Sequence, residues 1–180
     1  KFKVDDRDLG LYYMSELVTV GKNSIDLKDS MGILVEIDNV YCEAEEKYSI
    51  AKLYDCVSVK DVVAKDNMEE ALDTFMDNYN EFEKLVKRGD YNMAEEKVDM
   101  ESFAKYYLLS EFSSNLDAYV TSWYLYKDGE EDKIHSGIGW DFDGAFGNKK
   151  WWERDDNDIF SPSELMTRMK YTLLFKFIQC

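Results

Sequence analysis

Two patterns of apolar and polar positions divide most of the chain. Up to about residue 60 the alternation has a period of two, which predicts strands. Leu9-Gly-Leu-Tyr-Tyr-Met-Ser-Glu-Leu-Val18 and Gly32-Ile-Leu-Val-Glu-Ile-Asp38 are the strongest, each holding one glutamate (Glu16, Glu36) in an apolar run. Gly21-Lys-Asn-Ser24 predicts a turn between them. Lys1–Val4 reads as a strand fragment, and residues 48–60 as a third, weaker strand. The period then lengthens. Met68, Leu72, Phe75, Met76, Tyr79, Phe82, Leu85 and Val86 form one helical stripe, with Asp66 as N-cap, Glu69 three residues on and Gly89 as the terminating glycine. Asp99 opens a second helix through Phe103, Tyr107 and Phe112, ending near Ser113-Ser114-Asn115. Both stripes are expected to be core.

The final third changes character. Ser122–Lys127, the polar tip Asp128–Asp132 and Lys133–Trp140 predict a β-hairpin, which runs straight into Asp141-Phe-Asp-Gly-Ala-Phe-Gly147. Four of the nine glycines lie between Gly137 and Gly147, so the backbone there is expected to bend sharply or to lie close to another group. The reading is one α+β domain: residues 1–60 mostly β, 61–115 helical, and 116–180 holding the hairpin, the acidic segment and a C-terminal helix. The strand-like start and the apolar end Tyr171–Ile178 predict that the domain continues beyond both ends.

Composition removes several chemistries. With 38 acidic and 22 basic residues the formal charge is −16, which repels a phosphate backbone and disfavours nucleic-acid binding. No apolar run approaches the roughly 18–20 residues of a membrane span. A single histidine, His135, cannot build a multi-histidine zinc site, and any Ser-His or Cys-His mechanism would depend on it alone; it is expected to be structural. Cys42, Cys56 and Cys180 lack CxxC spacing and are odd in number, so they are expected to be unpaired, buried thiols. What remains is carboxylate chemistry.

Asp117 follows the second helix, and Asp141 and Asp143 follow the hairpin. A hairpin returns the chain to where it left, so these acids can be neighbours across 24 residues of sequence. Converging carboxylates repel and resist ionisation unless a cation joins them, which points to Mg²⁺, Mn²⁺ or Ca²⁺. Other readings stand beside this one: Asp141 and Asp143 as turn or cap residues, or a glycosidase carboxylate pair. An EF-hand loop beginning at Asp141 fails because its twelfth position is Trp152. Asp155-Asp-Asn-Asp158 reads as a solvated acidic loop.

Trp140-Asp-Phe-Asp-Gly-Ala-Phe-Gly-Asn148 resembles the W-D-x-D-x-x-F-G signature of the spore coat protein H (CotH) kinase family. Asp99 through Asn115-Leu-Asp117 resembles that family's helix leading into N-x-D, and Ser122–Lys127 the strand that follows. Gly10-Leu-Tyr-Tyr-Met-Ser-Glu16 and Gly32–Asp38 are similar to its glutamate-bearing strands. The resemblance runs in collinear order over nearly the whole chain.

The resemblance implies an atypical protein-kinase-like fold and ATP-dependent phosphorylation of protein Ser or Thr. It puts Asp117 at the catalytic-loop position, Asp141 at the Mg²⁺ (or Mn²⁺) position, and Asp143 and Asn115 at metal or supporting positions. Trp140, Lys52, Glu16 and Glu36 fall on the nucleotide side. The implied partners are ATP and a protein substrate, and the implied setting is a spore coat or the extracellular surface of a bacterium. The surplus of acids favours a basic, Ser-rich substrate. Family members carry further N-terminal sequence, so the alternative is a non-catalytic, pseudokinase-like or Ca²⁺-binding module of a surface assembly.

Overall fold

This computed structural model describes residues 3–5, 7, 8, 10, 15–42, 48–51, 55–115 and 117–146. Its centre is a five-stranded antiparallel sheet formed by β3 (Gly32–Ile37), β4 (Tyr48–Ile50), β5 (Cys56–Val62), β6 (Trp123–Asp128) and β7 (His135–Ser136). The spatial order is β4-β5-β3-β6-β7. Two short strands, β1 (Lys3–Val4) and β2 (Arg7–Asp8), pair separately. The helices are α1 (Met68–Arg88), α2 (Tyr91–Ala94) and α3 (Met100–Ser113).

All six residues of β3 are buried, because it has a neighbour on each edge and a layer on each face. Ile33, Val35 and Ile37 join the helix-side core, while Leu34 packs with Ile25, Leu27 and Tyr124 on the opposite face. That two-sided burial explains a nearly continuous apolar run in place of strict alternation.

The stripe of α1 behaves as its spacing predicts, burying Phe75, Met76, Tyr79, Phe82, Leu85 and Val86. Gly89 ends it in the left-handed conformation (φ 82°), where its N–H donates to Val86 and Asp90 N–H reaches back to the Leu85 carbonyl. The start differs from expectation. Lys65–Asn67 form a 3₁₀ turn and Asn67 precedes the helix without a side-chain cap, so Asp66 lies inside that turn. Asp99 does cap α3, its Oδ1 accepting the Ser102 N–H at 2.8 Å.

Phe82, Phe103 and Trp123 stack edge to face at about 6 Å and bind α1, α3 and β6 into one core. Not all of the second stripe is core, however: Phe112 is 80% exposed and meets Phe146 edge to face at 6.3 Å.

Three further expectations change. Residues 48–60 form two strands, β4 and β5, which pair antiparallel with Ile50 opposite Cys56. The turn after β3, whose Asp38 N–H donates to the Cys56 carbonyl, sets Cys42 beside Cys56 in a disulfide, so two of the three cysteines are not free thiols. An odd count requires only one unpaired cysteine, and Cys180 lies outside the described residues. Within Leu9–Val18, residues 15–18 belong to no strand. The C-terminal helix and the acidic stretch 155–158 fall outside the described residues. Among the described residues no helix is long and apolar enough to cross a membrane.

Candidate functional site

The loop joining α3 to β6 carries Asp117. Its backbone is unusual: Ser114 (φ 52°), Tyr119 (φ 67°) and Ser122 (φ 54°) all adopt the left-handed conformation without being glycine. Local strain of this kind persists only where the surroundings over-determine it. Here Tyr119 is 4% exposed and wedged edge-on against Trp123 at 4.9 Å and Tyr106 at 5.2 Å, which anchors the loop in the core. Asn115, 2% exposed, accepts the Asp117 N–H on its Oδ1 at 3.2 Å. The Asp117 carbonyl accepts from Val120 and Thr121 N–H, closing a tight turn behind the carboxylate.

The hairpin of β6 and β7 brings the acidic segment back to this loop. Only His135 and Ser136 form its regular second strand; Gly137 N–H still donates to the Tyr124 carbonyl of β6 at 2.8 Å, and residues 138–140 belong to no strand. The crowding expected around the glycines is present. A β-carbon at Gly137 would stand 3.0 Å from the Tyr124 carbonyl, one at Gly139 2.8 Å from Leu109, and one at Gly144 3.0 Å from Asp117 Oδ2. The Phe146 N–H donates to the Ser113 carbonyl, tying the far end of the segment to the end of α3.

Asp117, Asp141 and Asp143 are therefore brought together. The carboxyl of Asp141 shares a hydrogen bond with Asp143 and feels the charges of Asp143 and Asp117. Asp141 Oδ2 also accepts the Ser122 hydroxyl at 3.0 Å. Partial loss of hydration, then the Asp143 bond and the neighbouring negative charges, hold the Asp141 carboxyl above the ordinary carboxylate range, with Ser122 pulling the other way. Among the described residues no three His, Cys, Asp or Glu side chains converge tightly enough to cage a metal ion. The carboxylates thus form an Asp141–Asp143 pair with Asp117 beside it.

Trp140, Asp141, Phe142, Asp143, Gly139 and Ser15 line a cleft of about 600 Å³. Trp140 meets Tyr124 edge to face at 6.5 Å and packs on the outer face of the sheet. Glu36 also lies on that face, opposite Tyr124 on β6 and Ser58 on β5. Its carboxylate pairs with Lys60 Nζ at 2.6 Å, with side-chain exposures of 7% and 22%. Burial and the Glu36 charge push the Tyr124 phenol up to about 12, so it stays protonated and hydrogen-bonds Glu36. Glu16 is exposed beside Ser15, and Lys52 lies outside the described residues.

Sequence reasoning missed Lys60 and Ser122. The pairing of β3 and β5 shifts register between Leu34 and Val35, leaving Lys60 as the extra residue of a bulge. The only sequence signal for Lys60 was its place two residues after Ser58 in Cys56-Val-Ser-Val-Lys-Asp-Val62.

A second cleft, of about 710 Å³, is lined by residues that include Ser102, Tyr126, His135, Gly137 and Ile138. There His135 stacks on Tyr126 at 4.9 Å, with Nε2 3.4 Å from Asp132 and Nδ1 3.7 Å from Asp99. The nearby Ser102 hydroxyl donates to the Asp99 carbonyl and accepts the Ser136 N–H. His135 thus lies between two carboxylates.

A family model described as CotH kinase protein matches residues 1–179. No match is found among curated proteins or solved structures.

Proposed function

The chain belongs to the CotH kinase protein family, and we propose that it is a metal-dependent protein kinase that transfers the ATP γ-phosphoryl group to a Ser or Thr hydroxyl. The observation that carries this reading is the convergence of Asp141, Asp143 and Asp117 at the end of the hairpin, with Ser122 on Asp141 Oδ2 and Gly144 packed against Asp117 Oδ2. Such a group of acids waits for a cation. Mg²⁺ characteristically takes one or two carboxylates plus substrate phosphates and keeps several waters, so a two-aspartate site suits it without a protein cage.

In this reading Asp141 and Asp143 hold Mg²⁺ or Mn²⁺, which when bound neutralises charge on the phosphate oxygens. Asp117 accepts the proton of the acceptor hydroxyl, presented by a turn that its own carbonyl and Asn115 Oδ1 fix. Asn115 supports Asp117 through that bond. Trp140 offers an aromatic wall for the adenine. The Glu36–Lys60 pair holds a cation on the sheet face beside the cleft, for the phosphates, while Lys52 and Glu16 are assigned to the nucleotide by resemblance alone. The charge of −16 favours a basic, Ser-rich protein of a spore coat or bacterial surface, with rates that fall as salt rises.

The test is calorimetric titration of ATP in the presence of Mg²⁺ or Mn²⁺ into the wild type and Asp141→Ala. Binding that the substitution abolishes supports the kinase reading, and equal affinity in both proteins removes it. If Ca²⁺ raises the melting temperature while ATP with Mg²⁺ leaves it unchanged, the protein is a non-catalytic cation-binding module instead.

A further inference from the structure

We propose that Asp38 is a positioning residue for the Asp117–Ser122 loop, gripping it from the end of β3 through the Thr121 hydroxyl. Asp38 is only 7% exposed, and its Oδ1 accepts three hydrogen bonds: from Val40 N–H and Tyr41 N–H, both at 3.0 Å, and from Thr121 Oγ1 at 2.9 Å. The first two shape a turn around the carboxylate. The third crosses 83 residues of sequence to the aspartate loop. A second clasp runs beside it, the Asn39 N–H donating to the Val120 carbonyl at 2.9 Å.

The turn that carries this grip is itself fixed. Asp38 N–H donates to the Cys56 carbonyl and Cys56 N–H to Asn39 Oδ1, while the disulfide ties Cys42, at the end of the turn, to Cys56. Thr121 also stands between two functional contacts. Its N–H donates to the Asp117 carbonyl, and the next residue, Ser122, is held left-handed (φ 54°) with its hydroxyl on Asp141 Oδ2. One side chain at the end of β3 thus fixes the segment that orients both Asp117 and Asp141. A charged acceptor suits this task because its hydrogen bonds are stronger than those of a neutral group.

The catalytic consequence rests on the kinase reading, but the positioning does not, so the test uses two readouts on the full chain. Thr121→Val removes the hydroxyl at nearly constant shape, and Thr121→Ser restores it. Hydrogen exchange should quicken by roughly tenfold at the Val120 and Thr121 amides in Thr121→Val, as loss of about one hydrogen bond predicts, and return in Thr121→Ser. Under Mg²⁺ and ATP, kcat should fall roughly ten- to a hundredfold with KM for ATP little changed, again recovered by Thr121→Ser. Unaltered exchange in Thr121→Val overturns the proposal whether or not the protein turns over ATP. Quickened exchange with unchanged kcat in an active enzyme overturns the catalytic consequence. Quickened, Ser-rescued exchange in a wild type that never phosphorylates sustains the positioning role and counts only against the kinase reading.

Discussion

Asp117 and Gly144 meet across the candidate site: a β-carbon on Gly144 would stand 3.0 Å from Asp117 Oδ2. The backbone of the acidic segment is therefore packed against the carboxylate of the preceding loop. Gly144→Ala should push the two apart. The expected outcome is at least a tenfold loss of Mn²⁺-dependent ATP affinity with a melting temperature within a few degrees of wild type, since a β-carbon there meets only the Asp117 carboxylate and the position lies outside the hydrophobic core. Calorimetry and thermal melting together check this, and full ATP affinity in the variant would show that the contact is incidental.

Asp141 makes the metal-free fold sensitive to pH. A carboxyl raised in the fold binds its proton more tightly there than in the unfolded chain, so its contribution to stability is present at low pH and is lost as pH rises through the carboxylate range. Asp141→Asn should then raise the melting temperature of the metal-free protein at pH 7 and have little effect near pH 3. The same substitution should remove the stabilisation given by Mg²⁺. Melting curves from pH 3 to 8, with and without Mg²⁺, test the sign.

The Glu36–Lys60 pair makes a different demand. Lys60→Met leaves a carboxylate 7% exposed without its ammonium, and should cost about 2 kcal/mol. The figure falls below that for a fully buried pair because Lys60 keeps 22% exposure and the Tyr124 phenol still hydrogen-bonds Glu36. Adding Glu36→Leu to Lys60→Met should recover most of the loss. Urea denaturation of the single and double variants gives the coupling, and strictly additive losses would mean the two charges do not support one another.

The Cys42–Cys56 disulfide closes a span of 14 residues around β4, so its reduction should cost about 3 kcal/mol. Each cysteine gains one hydrogen as a dithiol reductant is oxidised to its own disulfide. Amide exchange should quicken first at Val40 and Tyr41, in the turn that Cys42 ends. Exchange unaffected at those amides would show that hydrogen bonding alone holds the turn.

The cap of α3 is a simpler case. Asp99→Ala removes the acceptor of the Ser102 N–H and should cost about 1 kcal/mol, read as a lower urea midpoint with an unchanged slope. Asp99→Ser should restore most of it.

The elements most legible in the sequence are those whose signals are local. The α1 stripe, the Gly89 stop and the Asp99 cap each depend on residues within a few positions of one another, and the structure places them where the spacing predicts. The strand at residues 32–38 could be read because β3 buries both faces and so has an unbroken apolar run. The initiation of α1 was misread because its start turns on a 3₁₀ geometry that Asp66 and Glu69 do not encode.

The pattern of residues along the chain encodes the α+β class, the two long helices, and the three aspartates that flank one hairpin. Through its motifs it also pointed to the family that the match over residues 1–179 bears out. How these parts meet depends on contacts between distant segments. The turn after β3 joined two cysteines whose odd count suggested none would pair, and the β3–β5 register put the Lys60 ammonium on Glu36. The returning hairpin set Gly144 over Asp117, and the end of β3 reached 83 residues along the chain to hold Thr121. Periodicity and caps are recorded over one or two turns of chain, whereas register shifts and hydrogen bonds between distant segments exist only after the sheet has paired.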